Sequence, residues 1–251
     1  MPSIGKLSVL EDQRKTKFNH NNEIVEPHYY SVFLDDINTK VEFTVTERSS
    51  FFRFHFPRTA DANIIIDAFF KNSEIKVIPN ENKIIGIAKN NSGGVPENFA
   101  NYFVIEFDRP FKKSGVWDGK GNIISKNHLK GKHVGAYVSF NTEKKDTSIY
   151  PPIKTKESYN IIEVKVSSSF ISHEQAWINL KRELPENKNF IEIMAEGRKS
   201  WNNELSKIKV ETENTPYGIS NKTKFYSSFY RTILFPRQFH EYNENGKQIH
   251  Y

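Results

Sequence analysis

The stretch NTKVEFTVTERSSFFRFHFP, residues 38–57, predicts the fold most directly. Apolar residues alternate with polar ones over residues 41–45 and again over residues 51–56, where Arg53 and His55 occupy the polar positions. Side chains two residues apart point to the same face of a strand. The pattern therefore predicts two β-strands, each with one buried apolar face and one solvated polar face.

The same period of two continues to about residue 170. Further predicted strands are NIIIDAFF, EIKVIP, KIIGIA, NYFVIEF, HVGAYVSF and NIIEVKVSSSF. Turn-rich segments separate them at residues 79–82, 91–94 and 118–122. Many strands joined by short turns, with no helical pattern between them, favour an antiparallel β-sandwich over βαβ units. We assign residues 1–171 to this sandwich.

The pattern changes to a helical one after the sandwich. Ser172 followed by Gln175 is typical of a capping box, and Asn189 with Glu192 repeats this signal at a second helix. A third helix is expected to begin near Ser220, with Phe225, Phe229 and Ile233 on one face and a break at Pro236. We assign residues 172–214 to a helical linker and residues 215–251 to the start of a larger helical domain.

Composition limits the classes of function. The 251 residues are 37% hydrophobic and 14% aromatic, enough for a folded core. The net charge of +6 comes from 36 basic and 30 acidic residues that are interspersed, so no Lys/Arg block predicts nucleic-acid binding. The absence of cysteine excludes disulfides and thiolate metal sites. We find no apolar signal-peptide region and no apolar run of membrane-spanning length, so neither is expected.

The segment FNHNNEIVEPHYYSVFLDD, residues 18–36, is unusually rich in histidine, carboxylate and asparagine. His20, Glu23, Glu26 and His28 offer nitrogen and carboxylate donors, but their spacing matches no common zinc pattern. A polar surface segment that leads into the sheet is favoured over a metal site. No metal is expected to bind this chain alone.

Two other groups of residues are candidates for carbohydrate chemistry. Glu106 and Asp108 lie two apart on one strand face, where a solvated sheet surface is favoured over a catalytic pair. Trp117 stands beside a turn and is the candidate surface aromatic for stacking on a sugar ring. Trp177 and Trp201 fall in helical apolar stripes, where core packing is expected. Composition and spacing alone therefore identify no active site.

Two groups of positions match the pattern of a known family. Those in the first sixty residues are Phe18, His20, Glu23, Pro27, Tyr29, Tyr30, Ser31, Val32, Thr44, Arg48, Arg53, Phe56 and Pro57. Those in the helical part are Ser172, Glu174, Ala176, Asn179, Leu180 and Glu183, together with SWNNELSKIKVE and KTKFYSSFYRTILFPRQF. By these positions the chain resembles glycoside hydrolase family 92, the calcium-dependent α-mannosidases. Residues 1–5 resemble an internal segment of the family. His28 departs from the pattern, because the family has glycine there, and a positive φ is expected at this position.

The resemblance implies an architecture. Family members have an N-terminal β-sandwich, a helical linker and a C-terminal (α/α)6 toroid, with the active site between sandwich and toroid. By this comparison the chain lacks the first sandwich strands and stops as the toroid begins. The family's catalytic acid, base and most calcium contacts belong to the toroid, so no residue here is assigned a catalytic role. His20, Glu23 and Trp117 are the substrate-side candidates.

The resemblance also implies a function, which is that of an inverting exo-α-mannosidase acting on terminal α-1,2-linked mannose of N-glycans. The chain is expected to be an inactive fragment, with the toroid as a covalent or split-gene partner and calcium needed by the complete enzyme. The parent protein is expected to be periplasmic or secreted. Two alternatives remain, which are a non-catalytic carbohydrate-binding or interaction module and a broken gene product without a function of its own.

Overall fold

The computed structural model describes residues 1–89, 93–143, 159–234 and 238–251. The strands are β1 (Pro2–Ile4), β2 (Phe18–Glu26), β3 (Tyr29–Leu34), β4 (Thr39–Val45), β5 (Ser49–Phe56), β6 (Ala62–Asp67), β7 (Ser73–Ile78), β8 (Lys83–Ala88), β9 (Asn101–Phe107), β10 (Lys113–Asp118), β11 (Ile123–Ile124), β12 (His128–Gly131), β13 (Val134–Phe140), β14 (Asn160–Ser169), β15 (His240–Tyr242) and β16 (Gln248–His250). The helices are α1 (His173–Glu183), α2 (Phe190–Leu205) and α3 (Pro216–Thr232). The predicted order, a β domain followed by helices, is confirmed.

Two antiparallel sheets form the sandwich. The smaller sheet has the order β1–β6–β13–β10–β11, and the larger has the order β12–β7–β8–β9–β14–β5–β4–β3–β2. Their facing side chains make the main core, which includes Phe54, Phe56, Ile64, Ile84, Val116, Val138 and Ile162. Burying one such side chain contributes about 1.5–3 kcal/mol, so this core dominates the stability of the sandwich.

Helices α1 and α2 cover the outer face of the nine-stranded sheet. Leu180 of α1 packs against Val104 of β9, and Phe190 and Ile193 of α2 pack against Phe51 of β5. These contacts are possible because successive side chains of β5 point to opposite faces of the sheet. Phe51 therefore faces the helices, while Phe54 and the side chains two residues away from it face the core. The sheet is therefore enclosed on both faces where the helices lie.

The helix starts follow local capping chemistry. The Asn189 side chain accepts from the backbone N–H of Glu192 at 3.1 Å, and Glu192 returns the bond to the Asn189 N–H at 2.8 Å, as predicted. The Ser172 hydroxyl accepts from the Gln175 N–H at 3.1 Å, which confirms the cap, but the Gln175 side chain bonds Asn179 and the Tyr242 carbonyl, so the predicted capping box is not completed. Helix α3 begins four residues before the predicted Ser220, because Thr215 caps it and a proline fits its first turn.

Residues 18–36 form a hairpin rather than a polar lead-in to a strand. Strand β2 is the edge of the nine-stranded sheet and pairs with β3 across a turn at Pro27 and His28. The expectation of a positive φ at His28 is wrong, since His28 is not among the described non-glycine residues with that conformation. Its side chain is buried instead, and its Cβ lies beside Gly197 of α2.

The C-terminal hairpin β15–β16, which was not predicted, folds back onto the sandwich. The buried carboxylate of Glu241 accepts from the Phe170 N–H at 2.8 Å and from the Asn179 side chain at 2.7 Å. The Gln175 amide donates to the Tyr242 carbonyl at 2.8 Å. Arg48 donates to the backbone carbonyls of residues 238 and 240. The hairpin is thus bound to both the sheet and α1.

Several local predictions have other outcomes. The short strands β10, β11 and β12 were not predicted, although the turn at residues 118–122 is confirmed by the bond from the Gly121 N–H to the Asp118 carbonyl at 2.9 Å. Residues 91 and 92 of the turn predicted at residues 91–94, and the helix break predicted at Pro236, lie outside the described residues. None of the helices in the described ranges is long and apolar enough to cross a membrane.

Candidate functional site

His20 and Glu23 lie together on the exposed edge strand β2. The His20 Nδ1 is 2.6 Å from one carboxylate oxygen of Glu23, and the Tyr30 hydroxyl donates to the other oxygen at 2.6 Å. The Glu23 side chain is only 14% exposed, whereas that of His20 is 84% exposed. His20 and Glu23, two of the substrate-side candidates, are therefore in contact, and Tyr30 is a third member of the group that the sequence did not reveal.

Hydrogen bonds among Glu23, Tyr30 and His20 favour the ionised form of Glu23 and the neutral form of Tyr30. The bonds from Tyr30 and then from His20 lower the pKa of the Glu23 carboxyl below its usual value. Burial, followed by the bond to Glu23, raises the pKa of Tyr30 to about 12. An ionised Glu23 thus orients the His20 imidazole, whose exposed ring can bind a hydroxyl group or a polar residue of a neighbouring domain.

A second polar network lies on the outer face of β3, β4 and β5. Glu42 accepts from the Tyr29 hydroxyl at 2.6 Å and from Lys40 at 3.1 Å, and its other oxygen is 2.6 Å from the His55 Nε2. Burial opposes ionisation of Glu42, but the bonds from His55 and Tyr29 and the charge of Lys40 outweigh it, so the pKa of Glu42 falls to about 2. The His55 Nδ1 is buried with no hydrogen-bond partner in the described part of the chain.

The expectation of a solvated polar face on these strands is wrong at this network. Glu42 is 7% exposed and His55 3% exposed. The alternation correctly identified which residues share a face, but it carries no information on what covers that face. A signal was nevertheless present, because a carboxylate and a histidine at diagonal positions on one face of neighbouring strands are within reach of each other; His55 pairs with Lys40, and Glu42 with Arg53.

Trp117 is not a surface aromatic. Its side chain is fully buried against Val9 and Ile65 on the outer side of the five-stranded sheet, and its indole N–H donates to the Ala136 carbonyl at 3.2 Å. Strand β10 is covered on both faces, because residues near Leu7 pack over it. Stacking of Trp117 on a sugar is therefore excluded by its position, and it is a core residue.

Asp108 and Glu163, two further carboxylates of the sandwich, have structural partners. Asp108 pairs with Arg109 at 2.8 Å, and Glu163 pairs with Arg53 at 2.8 Å. Among the residues that the structure describes, no group of three or more histidine, cysteine, aspartate or glutamate side chains is arranged to hold a metal ion. His20 and Glu23 supply two donors, which is too few for a protein-only Ca²⁺ site of six to eight oxygens.

Comparisons with known families match most of the chain. The model of the glycosyl hydrolase family 92 N-terminal domain matches residues 1–150. The model of the glycosyl hydrolase family 92 catalytic domain matches residues 175–251. A search of curated protein sequences found no significant match.

Solved structures with the same fold come from mannosidases. The family GH92 inverting mannosidase BT2199 from Bacteroides thetaiotaomicron is 30% identical, with a TM-score of 0.86, over 100% of this chain and 31% of its own. The α-mannosidase BT3965 from the same organism, solved with mannoimidazole, is 24% identical, with a TM-score of 0.77, over 100% of this chain and 33% of its own. The chain thus spans about a third of the length of these structures.

Proposed function

The chain belongs to glycosyl hydrolase family 92, and we propose that it is part of an inverting exo-α-mannosidase that releases terminal α-1,2-linked mannose from N-glycans. It supplies part of the β-sandwich (residues 1–171), the helical linker (172–214) and the first helix of an (α/α)6 toroid (215–251). The observation that carries the proposal is the 30% identity over the full chain to an inverting mannosidase.

Helix α3 supports the assignment to a larger helical domain. Tyr217 is 77% exposed and Ile219 55% exposed, although both are large apolar or aromatic side chains. Beside them a groove of about 630 Å³ opens between the turn after β2 and helices α2 and α3, with Val25, Leu205 and Tyr226 among its lining residues. Exposed apolar surface of this kind is typical of a face that packs against further protein. The remainder of the toroid is the proposed occupant, as a covalent or separately encoded partner.

His20 and Glu23 are proposed to act on the sandwich side of the sugar site. An exposed imidazole held by an ionised carboxylate can orient a mannose hydroxyl without itself taking part in bond cleavage. In an inverting mechanism one carboxylic acid protonates the leaving oxygen while a carboxylate activates water on the opposite face of the ring. Those two groups are proposed to belong to the toroid and not to this chain.

Calcium is proposed as a cofactor of the complete enzyme only. The described residues do not fit a Ca²⁺ site built on carboxylates, because no group of three or more histidine, cysteine, aspartate or glutamate side chains arranged to hold a metal lies among them. We therefore assign no residue of this chain to the ion and derive no step through it. The complete enzyme is also proposed to act in the periplasm or outside the cell.

A chimaera tests the proposed function. Residues 1–251 replace the aligned segment of the inverting mannosidase BT2199, and the product is incubated with α-1,2-mannobiose and Ca²⁺. We expect release of mannose, with the β-anomer as the first product seen by proton NMR. A soluble, folded chimaera that releases no mannose, or that releases the α-anomer first, would contradict the assignment.

The isolated chain is expected to release no mannose from the same disaccharide, with or without Ca²⁺. Calcium-dependent release by the isolated chain would show that the catalytic groups lie within it. A glycan array separates this proposal from the alternative of a carbohydrate-binding module. Binding of neutral mannosides by the isolated chain would favour the binding module.

A further inference from the structure

A groove near one end of the five-stranded sheet combines an exposed aromatic ring with positive charge. It has a volume of about 420 Å³, within the usual range of small-molecule sites. We call it the Phe70 groove, and define it by the residues Phe70, Lys120, Leu129, Lys130, Lys132 and His133. We propose that the Phe70 groove binds an anionic pyranose, that is, a sugar ring carrying a phosphate or a carboxylate.

The aromatic wall is built from a strained loop. Phe69, Lys71 and Asn72 all have φ between 60° and 69°, a left-handed conformation that is unfavourable for residues other than glycine. The loop is held by the Ser73 hydroxyl, which donates to the Phe69 carbonyl at 2.6 Å. The result is that Phe70 is 52% exposed at the mouth of the groove. An exposed ring on a hydrogen-bonded loop offers a face for the C–H groups of a sugar.

The floor of the groove holds an oriented histidine. The His133 ring lies 4.3 Å from the Phe70 ring and 5.3 Å from that of Trp117, so it is held between them. Its Nε2 is 2.9 Å from an Asp67 oxygen, and Arg14 binds the other Asp67 oxygen at 2.6 Å. With the proton on Nε2 directed to Asp67, the Nδ1 is left as an acceptor for a sugar hydroxyl.

Charge selects an anionic ligand. Three lysines line the Phe70 groove against one carboxylate, that of Asp118. The Asp118 carboxylate is already bound by the Asn122 side chain at 2.9 Å and by two backbone N–H groups, and the bond from that side chain lowers its pKa. Lys130 lies 3.6 Å from Glu74, and the charge of Lys120 acts on Asp118, whereas Lys132 has no ion pair within the described ranges. Three lysines against these two carboxylates leave a net positive charge at the groove for a phosphate or carboxylate.

The choice of a sugar rather than another ring-bearing anion rests on the proposed function. A phosphate carries more charge than a carboxylate at neutral pH, so a sugar phosphate should bind more tightly than a uronic acid. Inorganic phosphate lacks the ring that would contact Phe70, and mannose lacks the charge. The expected order of affinity is mannose 6-phosphate, then mannuronate, then inorganic phosphate and mannose.

The test is an NMR titration of the isotope-labelled 251-residue chain with these four compounds. Mannose 6-phosphate should shift the signals of Phe70, Lys120 and His133, with an affinity at least about tenfold above that of mannose, and added salt should weaken it. Phe70→Ala should lower the affinity for mannose 6-phosphate about three- to tenfold and leave the affinity for inorganic phosphate unchanged. Lys132→Gln should lower the affinity for both mannose 6-phosphate and inorganic phosphate.

Matched controls lie close by. Phe69→Ala removes a neighbouring ring of similar exposure that does not line the Phe70 groove, and Lys113→Gln removes an exposed lysine elsewhere. Both should bind normally. Absence of shifts at these signals, or equal affinity in Phe70→Ala, overturns the proposal. Inorganic phosphate binding as tightly as the sugar phosphate, or a single-stranded oligonucleotide binding more tightly, overturns the choice of a sugar. The mannobiose assay is a separate readout, so the two proposals can fail separately.

Discussion

Replacing Glu42 by glutamine tests the buried network on the outer face of the large sheet. Glutamine keeps the volume and can still bond the Tyr29 hydroxyl and the His55 ring, but it cannot ionise. The substitution therefore removes the charge and little else. Because the pKa of Glu42 falls from 4.5 to about 2 on folding, the native state favours the ionised carboxylate.

The magnitude follows from linkage. A shift of this size corresponds to about 3 kcal/mol of stability at neutral pH, at roughly 1.4 kcal/mol for each pKa unit. Since the folded pKa is depressed, this stabilisation is fully present above the unfolded pKa of about 4.5 and is lost as the pH falls towards 2. At about pH 3.5 the wild-type chain should already have lost about 1.4 kcal/mol of it.

The assay is urea unfolding followed by circular dichroism at several pH values between about 6.5 and 3.5. We expect the free energy of unfolding of the wild-type chain to exceed that of Glu42→Gln by most at about pH 6.5. At about pH 3.5 this difference should be smaller by about 1.4 kcal/mol. Glu81→Gln, at an exposed carboxylate paired with Lys83, is the matched control and should follow the wild-type profile. A difference between wild type and Glu42→Gln that stays constant with pH would refute the reasoning.

Three further predictions concern other parts of the fold. Trp117→Ala should lower the free energy of unfolding by about 3–5 kcal/mol, because it empties a fully buried site; a loss below about 1 kcal/mol in urea unfolding would contradict the burial. Glu241→Ala should remove hydrogen-exchange protection from residues 238–251 while β14 stays protected, and unchanged protection of the hairpin would contradict its anchoring by Glu241. Asn189→Ala should cost about 1 kcal/mol through the lost helix cap, measured by urea unfolding, whereas Asn203→Ala, near the end of the same helix, should cost less.

Features that depend on neighbours in the sequence could be predicted. The strands of the sandwich follow from a period of two, and the Asn189 cap follows from a carboxylate three residues later. Strand β2 was missed because its residues do not alternate; it is an exposed edge strand, defined by hydrogen bonds to β3 and not by burial. The start of α3 lies earlier than predicted because Thr215, directly before a proline, caps the helix.

Features that depend on which elements meet could not be predicted. The Glu42 network was expected to be solvated, because the alternation does not show what covers that face of the sheet. Trp117 lies beside a turn, and only the packing of the segment near Val9 makes it a core residue. The Phe70 groove joins the loop after β6 to the turn after β10, strand β12 and the two residues before β13, so residue 70 meets residues about 50 to 60 positions away in sequence.

The anchored C-terminal hairpin has a consequence for how such a protein can be recombined. The two family domains match residues 1–150 and 175–251, which follow each other along the chain. Arg48 of the first range nevertheless donates hydrogen bonds to backbone carbonyls just before and within the hairpin, which belongs to the second range. Glu241 meanwhile needs both Phe170 and Asn179. If two homologous genes recombined at the domain junction, the sandwich from one parent would have to supply hydrogen-bond partners that fit the hairpin from the other parent. Genetic exchange should therefore favour transfer of the sandwich, linker and hairpin as one block.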